Sequence, residues 1–141
     1  MNSFVLEPEV PGGWGEGTIA DTSVHPPIVI ELVYEFAGWL GDELIETFPC
    51  FVVSGSLASA LVAAGLSGVE LEAISVKLSP DFLSNKTGVE EQKWVRLKPT
   101  GSVGSDDVSL SVGNELIVSE RALTVFAAHK LGNCSVTRRK A

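Results

Sequence analysis

The chain reads as an α+β domain, and three observations predict that class. Residues 51–71 and 116–136 are one passage written twice, aligned without a gap at a fixed offset of 65. Short alternating runs rich in β-branched and aromatic residues lie around the two copies, as strands require. The 141 residues are 45% hydrophobic and 20% charged, which suits a folded domain able to bury about two thirds of its unfolded surface. All of 1–141 is therefore expected to form a single domain with a mixed or antiparallel sheet and two main helices.

Taken in order, residues 1–27 are dense in glycine and proline, with Trp14 inside GGWGEG and His25 before Pro26-Pro27. They are expected to form an ordered arm rather than a strand. IVIELVYEF (28–36) alternates and predicts a strand. Asp42 to Phe48, after Gly41, reads as one or two helical turns ended by Pro49. The first copy of the repeat follows. Phe51-Val52-Val53, like Leu116-Ile117-Val118 in the second copy, suits a buried strand. Ser54 and Ser119 come next, each placed to accept from the orphan amides of a new helix. Glu120 adds an acid to the first turn of the second helix.

Apolar residues at 57, 58, 61 and 62, and again at 122, 123, 126 and 127, make one stripe per helix. Gly65-Leu66-Ser67-Gly68 and Lys130-Leu131-Gly132-Asn133 end the two helices with residues that tolerate left-handed backbone. Strands are expected at 69–76 and 133–137. The first continues through VELEAISVKL, where the outward set slips phase at Ala73-Ile74 and implies a bulge. Residues 79–92 are a polar excursion and 93–98 (KWVRLK) another alternating strand. A glycine-bearing loop from Pro99 to Asp107 leads into the second copy, and the basic RRKA tail ends the chain. The two strand–helix–strand units are expected to set their helices on one side of the sheet, and the repeat leaves a pseudo-twofold relation between them open.

Charge is distributed unevenly. Residues 1–76 hold eleven acids and no lysine or arginine, whereas residues 77–141 hold all ten basic residues and seven acids. A net charge of −8 argues against nucleic acid or an anionic membrane as the main partner. An acidic half can instead steer a basic protein surface into place. The N-terminus has acids and glycines where a signal peptide carries lysine and a long apolar run, and no stretch approaches a bilayer span, so a cytoplasmic location is expected. Cys50 and Cys134 lack metal-ligand spacing and are expected as buried free thiols.

The residues point to no catalytic constellation and no cofactor or metal. There is no GxSxG elbow, Walker loop, HExxH or CxxC, and Ser54-Gly55-Ser56 is better explained as a cap. Glu90-Glu91 and Asp106-Asp107 are paired acids of the type that binds divalent cations, with a solvated charge run and a turn as the plainer readings. Asn85-Lys86-Thr87 fits a glycosylation triplet, which has no meaning in the cytoplasm. Two other classes stay open. One is a small-molecule or peptide-binding module closed by the arm around Trp14. The other is an enzyme that brings His25 or His129 to Asp106 or Asp107.

The phrases VVSGSLASALVAAGLSGVEL and IVSERALTVFAAHKLGNCSV, together with WVRLKPTGSVGSDDVSLSVGNELIVSERAL (94–123), resemble immunity-protein families of bacterial polymorphic toxin systems. In those families a strand ending in V-S leads into a helix and then a leucine–glycine turn. Trp94, Gly104, Asp106, Asp107 and Ser119 are the matching positions. The resemblance implies a cytoplasmic protein that binds and neutralises a cognate toxin. Such an inhibitor needs a rigid surface, central anchors and charge opposite to the toxin's. The candidate surface is Glu31, Glu35, Trp39, Asp42, Glu43 and Glu46, on or just after one predicted strand, with Trp39 either an anchor amid acids or part of the core. Ser54 and Ser119 are structural caps, and Asp106 and Asp107 are expected to order their loop by capping amides.

Overall fold

Both copies of the repeat fold into the same unit, and the rest of the chain either completes those units or covers one of them. The computed structural model describes residues 2–83 and 88–139, apart from the side chain of Leu83. The Asn85-Lys86-Thr87 triplet lies outside the described residues. The chain opens with five strands: β1 (Ser3–Glu7), β2 (Gly12–Trp14), β3 (Ile19–Asp21), β4 (Ile28–Glu31) and β5 (Val33–Phe36). The first unit is β6 (Leu44–Thr47), β7 (Cys50–Ser54), α1 (Gly55–Ala63) and β8 (Val69–Ala73). An excursion follows through β9 (Ser75–Leu78), the short α2 (Pro80–Leu83) and a 3-10 turn (Val89–Glu91) before β10 (Trp94–Pro99). The second unit is β11 (Val108–Leu110), β12 (Leu116–Ser119), α3 (Glu120–Ala127) and β13 (Ser135–Arg139).

Two four-stranded sheets have matching orders, β6-β7-β10-β8 and β11-β12-β1-β13. Their registers match too. Leu44 faces Val53 as Val108 faces Val118. Trp94 faces Ser54 as Ser3 faces Ser119, and Leu97 faces Leu71 as Leu6 faces Val136. The second unit thus takes its third strand from the N-terminus of the chain. Beyond each of these borrowed or returning strands, a parallel bridge crosses to the other unit, Glu9 to Ile45 and Gly101 to Ser109. The reciprocity is that of an approximate twofold relation.

The helices meet across this relation. Leu57 and Leu61 of α1 and Ala122 and Phe126 of α3 are all 0% exposed and share one core with Leu6, Leu44, Phe51, Val53, Leu97, Val108, Leu116 and Val118. Full burial of each large apolar side chain contributes about 1.5–3 kcal/mol relative to exposure. Helices and sheets of both units therefore depend on one another.

Among the described residues, only the first unit carries a further layer. Behind its sheet, the three-stranded sheet β2-β5-β9 and the excursion cover Ile45, Val52 and Trp94 with Tyr34, Phe36 and Phe82. Phe36 stands 5.4 Å from Trp94 and 4.7 Å from Tyr34, ring centre to ring centre. Every residue of β7 is consequently buried, which explains its unbroken apolar run. β5 and β9 run parallel, and the other strand pairs are antiparallel. The architecture is α+β, as expected, but built on several sheets instead of one.

Four local expectations are corrected. The arm over 1–27 contains β1, β2 and β3: β1 pairs with β12 and β13 far along the chain, β2 with β5, and β3 with the nearby β4. Asp42 to Phe48 is not helical. Leu44 and Ile45 face the two different cores, so β6 lacks the alternation that reveals a strand, and Phe48 before Pro49 is biased to extended backbone. The run 28–36 breaks at the buried Leu32 into β4 and β5, which belong to different sheets. The phase slip at Ala73-Ile74 is likewise a transfer, with β8 in the first unit and β9 in the covering layer.

Cys50 is buried, Cys134 half-buried, and both are free thiols. Burial pushes Cys50 up from its ordinary value, and burial beside Asp42 pushes Cys134 up to about 11, so neither thiol is activated. Among the described residues no helix is long and apolar enough to cross a membrane.

Candidate partner-docking site

Four of the singled-out polar residues form two matching fasteners between the units. Ser54 accepts from the Leu57 amide and Ser119 from the Ala122 amide, as N-caps. Each serine hydroxyl also donates, at 2.7 Å, to a carboxylate lying just before the neighbouring edge strand, Glu43 for Ser54 and Asp107 for Ser119. Each carboxylate then reaches the turn that ends the other unit's helix. Glu43 accepts from the Lys130 amide at 3.0 Å and lies 3.2 Å from His129 Nδ1. Asp107 accepts from the Ser67 amide at 3.0 Å and pairs with both Nε and Nη2 of Arg121.

Burial works to raise the pKa of Glu43, but the Lys130 amide, the Ser54 hydroxyl and His129 outweigh it and the net shift is downward. The Arg121 guanidinium, helped by Ser119 and Ser67 against desolvation, holds Asp107 well below the usual carboxylate range. Asp106 has a smaller task, accepting from the Ser102 amide at 2.7 Å and closing its loop. Asp106 and Asp107 thus turn to different partners, and Glu90-Glu91 sits in the 3-10 turn.

Ser54, Glu43 and His129 do not make a nucleophilic triad. In such a triad the imidazole stands between hydroxyl and carboxylate and takes the hydroxyl proton. Here the carboxylate is in the middle, and the hydroxyl donates to it while capping a helix. His25 stacks on Phe48 at 5.8 Å.

An open groove of about 700 Å³ is lined by β2, Glu35 of β5, residues 37–40, Asn133 and the segment Glu9–Pro11. Trp39 packs edge-on against Trp94 at 5.6 Å and donates from Nε1 to the Asp42 carbonyl at 2.8 Å. Trp14, Val10 and Leu40 are 37%, 62% and 73% exposed on its rim. The groove depends on close strand approach. A Cβ on Gly12 would run into the Glu35 carbonyl and crowd Tyr34. Gly12→Ala is expected to cost about 1–3 kcal/mol through the forced shift of β2, seen as a lower urea midpoint with an unchanged slope.

The groove has a buried floor. Glu9 is 8% exposed, and its carboxylate accepts from the Leu40 amide at 2.7 Å and the Asp42 amide at 3.4 Å. Burial raises its pKa from the ordinary value, with the two amides offsetting part of that.

Of the six surface residues expected from sequence, Glu35 and Trp39 meet in this groove. Glu31 is exposed at the end of β4, beside a separate hollow with Gly17 and Ser75. Glu46 is half-buried near Glu7, and burial followed by that neighbouring charge raises its pKa. Asp42 and Glu43 depart from the expectation. Asp42 is 2% exposed and accepts from both the amide and side chain of Asn133, and Glu43 is the fastener described above. A buried carboxylate costs free energy unless hydrogen-bonded, and both are committed inward. Trp14, expected from the sequence as part of an arm closing a pocket, also lines the groove, whereas Glu9, Val10, Leu40 and Asn133 were missed as groove residues. Leu40 beside Trp39 in a glycine-flanked loop was a usable signal. Nothing local marked Glu9 as internal. No protein-family model matches the chain, and no curated protein is similar enough to count as a relative.

Proposed function

We propose that the chain is an immunity-type protein that binds and neutralises a basic cognate toxin in the cytoplasm of its producer. The observation that carries this reading is the groove itself. It combines two tryptophans with exposed Val10 and Leu40 beside Glu35, and among the described residues its lining holds no lysine or arginine. Exposed aromatic and aliphatic anchors beside a negative group suit recognition of a basic protein surface, and residues 1–76 supply eleven acids without a cation. The electrostatic part is narrower than total charge suggests, because Glu9, Asp42 and Glu43 are used internally.

A peptide-binding module is the second reading, favoured by the lining that Gly12, Gly13 and Trp14 of the N-terminal segment provide. It differs in predicting that a short basic peptide alone fills the groove.

The reading expects a toxin reading frame directly upstream, and the test is co-purification of that toxin domain, catalytically inactivated, with the wild-type chain and with Glu35→Lys. Glu35→Lys is expected to stay folded and weaken binding by about tenfold at low salt, with the difference shrinking as salt rises. Equal retention of the toxin by both proteins at low salt counts against the groove as the docking site.

A further inference from the structure

Residues 37–42 have no regular secondary structure, yet four of their backbone amides donate to other parts of the chain. The amides of Ala37 and Gly38 both donate to the Pro11 carbonyl, at 2.8 and 3.1 Å. Those of Leu40 and Asp42 donate to the two oxygens of the buried Glu9 carboxylate. Trp39 Nε1 closes on the Asp42 carbonyl, the Asp42 carboxylate is held by Asn133, and the Glu43 amide donates to Lys130 at 2.9 Å. Gly41 turns the segment with φ +108°, a value that a side chain disfavours.

The outcome of these bonds is specific. Leu40 has its amide fixed to an internal carboxylate while its side chain stands 73% exposed. Ordering a loop on binding costs affinity, and a loop already ordered avoids that cost. A large aliphatic side chain held out on a rigid loop is suited to enter a partner, rather than to receive one.

We propose that residues 37–42 form a preorganised docking loop, braced by Glu9, whose Leu40 side chain enters an apolar pocket rimmed by basic groups on the partner protein. The rim chemistry follows from charge complementarity on the Trp14 side, where Glu35 flanks the loop and the described lining holds no lysine or arginine, whereas on its other side Leu40 shares a hollow with Glu43 and Lys130. The inference rests on the toxin-binding reading. It adds which part of this chain is the ligand, and it makes Glu9 a positioning residue that acts through Leu40.

The experiment measures affinity of the same inactivated toxin domain for five folded variants, with amide hydrogen exchange of the free proteins alongside. Leu40→Asp is expected to weaken binding by about 30-fold or more, as loss of a central anchor does, whereas Val62→Asp, at an exposed site on α1, leaves it within about twofold. Glu9→Gln keeps the size of the side chain but replaces one acceptor oxygen with a donor. It is expected to speed exchange of the Leu40 amide and weaken binding by about tenfold. In the Glu9→Gln background the further loss from Leu40→Ala is expected to be smaller than in the wild type, because the two act as a unit. Wild-type binding that Leu40→Asp leaves unchanged overturns the loop proposal and spares the toxin reading. Faster Leu40 exchange in Glu9→Gln with unchanged affinity overturns the brace. A wild-type chain that does not bind the toxin domain overturns both.

Discussion

Asp107→Ala is expected to lower stability by about 3 kcal/mol, a fall in Tm of roughly 10 °C for a domain of this size. The side chain of Asp107 is only 9% exposed, and it serves both units at once. Its Oδ1 receives the Ser119 hydroxyl and Arg121 Nε, and its Oδ2 receives Arg121 Nη2 and the Ser67 amide. Alanine leaves a capping hydroxyl and a turn amide without their acceptor, and unsatisfied buried groups cost more than the bonds contribute on average. Arg121 also donates to the Ala64 and Gly65 carbonyls at the end of α1. Its side chain is 58% exposed, however, so Arg121→Ala is expected to cost only about 1–2 kcal/mol. Arg121→Lys recovers little of that, because an ammonium cannot span the carboxylate and two carbonyls.

The same residue sets an acid limb. A carboxyl whose folded pKa lies below its unfolded value binds fewer protons when folded, so its contribution is complete above the unfolded pKa. It is lost as pH falls from the ordinary carboxyl value of 3.8 toward and through the folded value. Asp107→Asn is therefore expected to flatten the stability curve below about pH 4 while lowering its neutral plateau. Thermal melts across that range decide it. A variant with wild-type Tm at neutral pH, or with an unchanged acid limb, contradicts the fastener.

What could be read from the residues alone was local. The repeat displays its strand, serine cap, helix stripe and glycine turn within one short passage, and each of those depends on neighbours a few positions away. Ser54 and Ser119 are caps for the reason the sequence suggests. Their second role was hidden, because Glu43 and Asp107 lie before the adjacent strands and are not themselves aligned by the offset of 65. The full set of contacts to Asp107 needs Arg121, where the first copy has Ser56, so the repeat gave no hint of it. The strands of residues 1–27 were hidden for a different reason. β1 is five residues long, and its partners begin at residue 116. Glycines that signal flexibility in isolation are there so that backbones can approach, as at Gly12. The acids misled in the same way. Clustering in sequence placed Asp42 and Glu43 with Glu35, but side-chain direction sends them inward.

Removing Ser3–Glu7 is expected to abolish folding, while moving the chain ends elsewhere leaves the fold intact. β1 is an interior strand, hydrogen-bonded to β12 on one side and β13 on the other. Its Leu6 is 1% exposed in the shared core. Deleting it strips both neighbours of a ladder and opens the core under α3, a loss that exceeds the roughly 5–15 kcal/mol available to a domain. The strand's position at the start of the chain is nevertheless incidental to its packing. Ser3 and Arg139 are register partners, so a short linker can join β13 directly to β1. Opening the chain between Val103 and Gly104, in the loop between β10 and β11, then gives a permutant in which β11, β12, α3, β13 and β1 are consecutive. The cut sacrifices mainly the Asp106–Ser102 loop closure and leaves both fasteners whole. Tolerance of such rearrangement is expected at loop sites where few contacts cross. The permutant should unfold cooperatively in urea within about 2 kcal/mol of the parent, with an unchanged slope. The truncated chain should show no transition. A cooperative, parent-like transition in the truncated chain contradicts β1 as an interior strand, and failure of the permutant to fold means that the closing strand acts through its covalent context rather than through its place in the sheet.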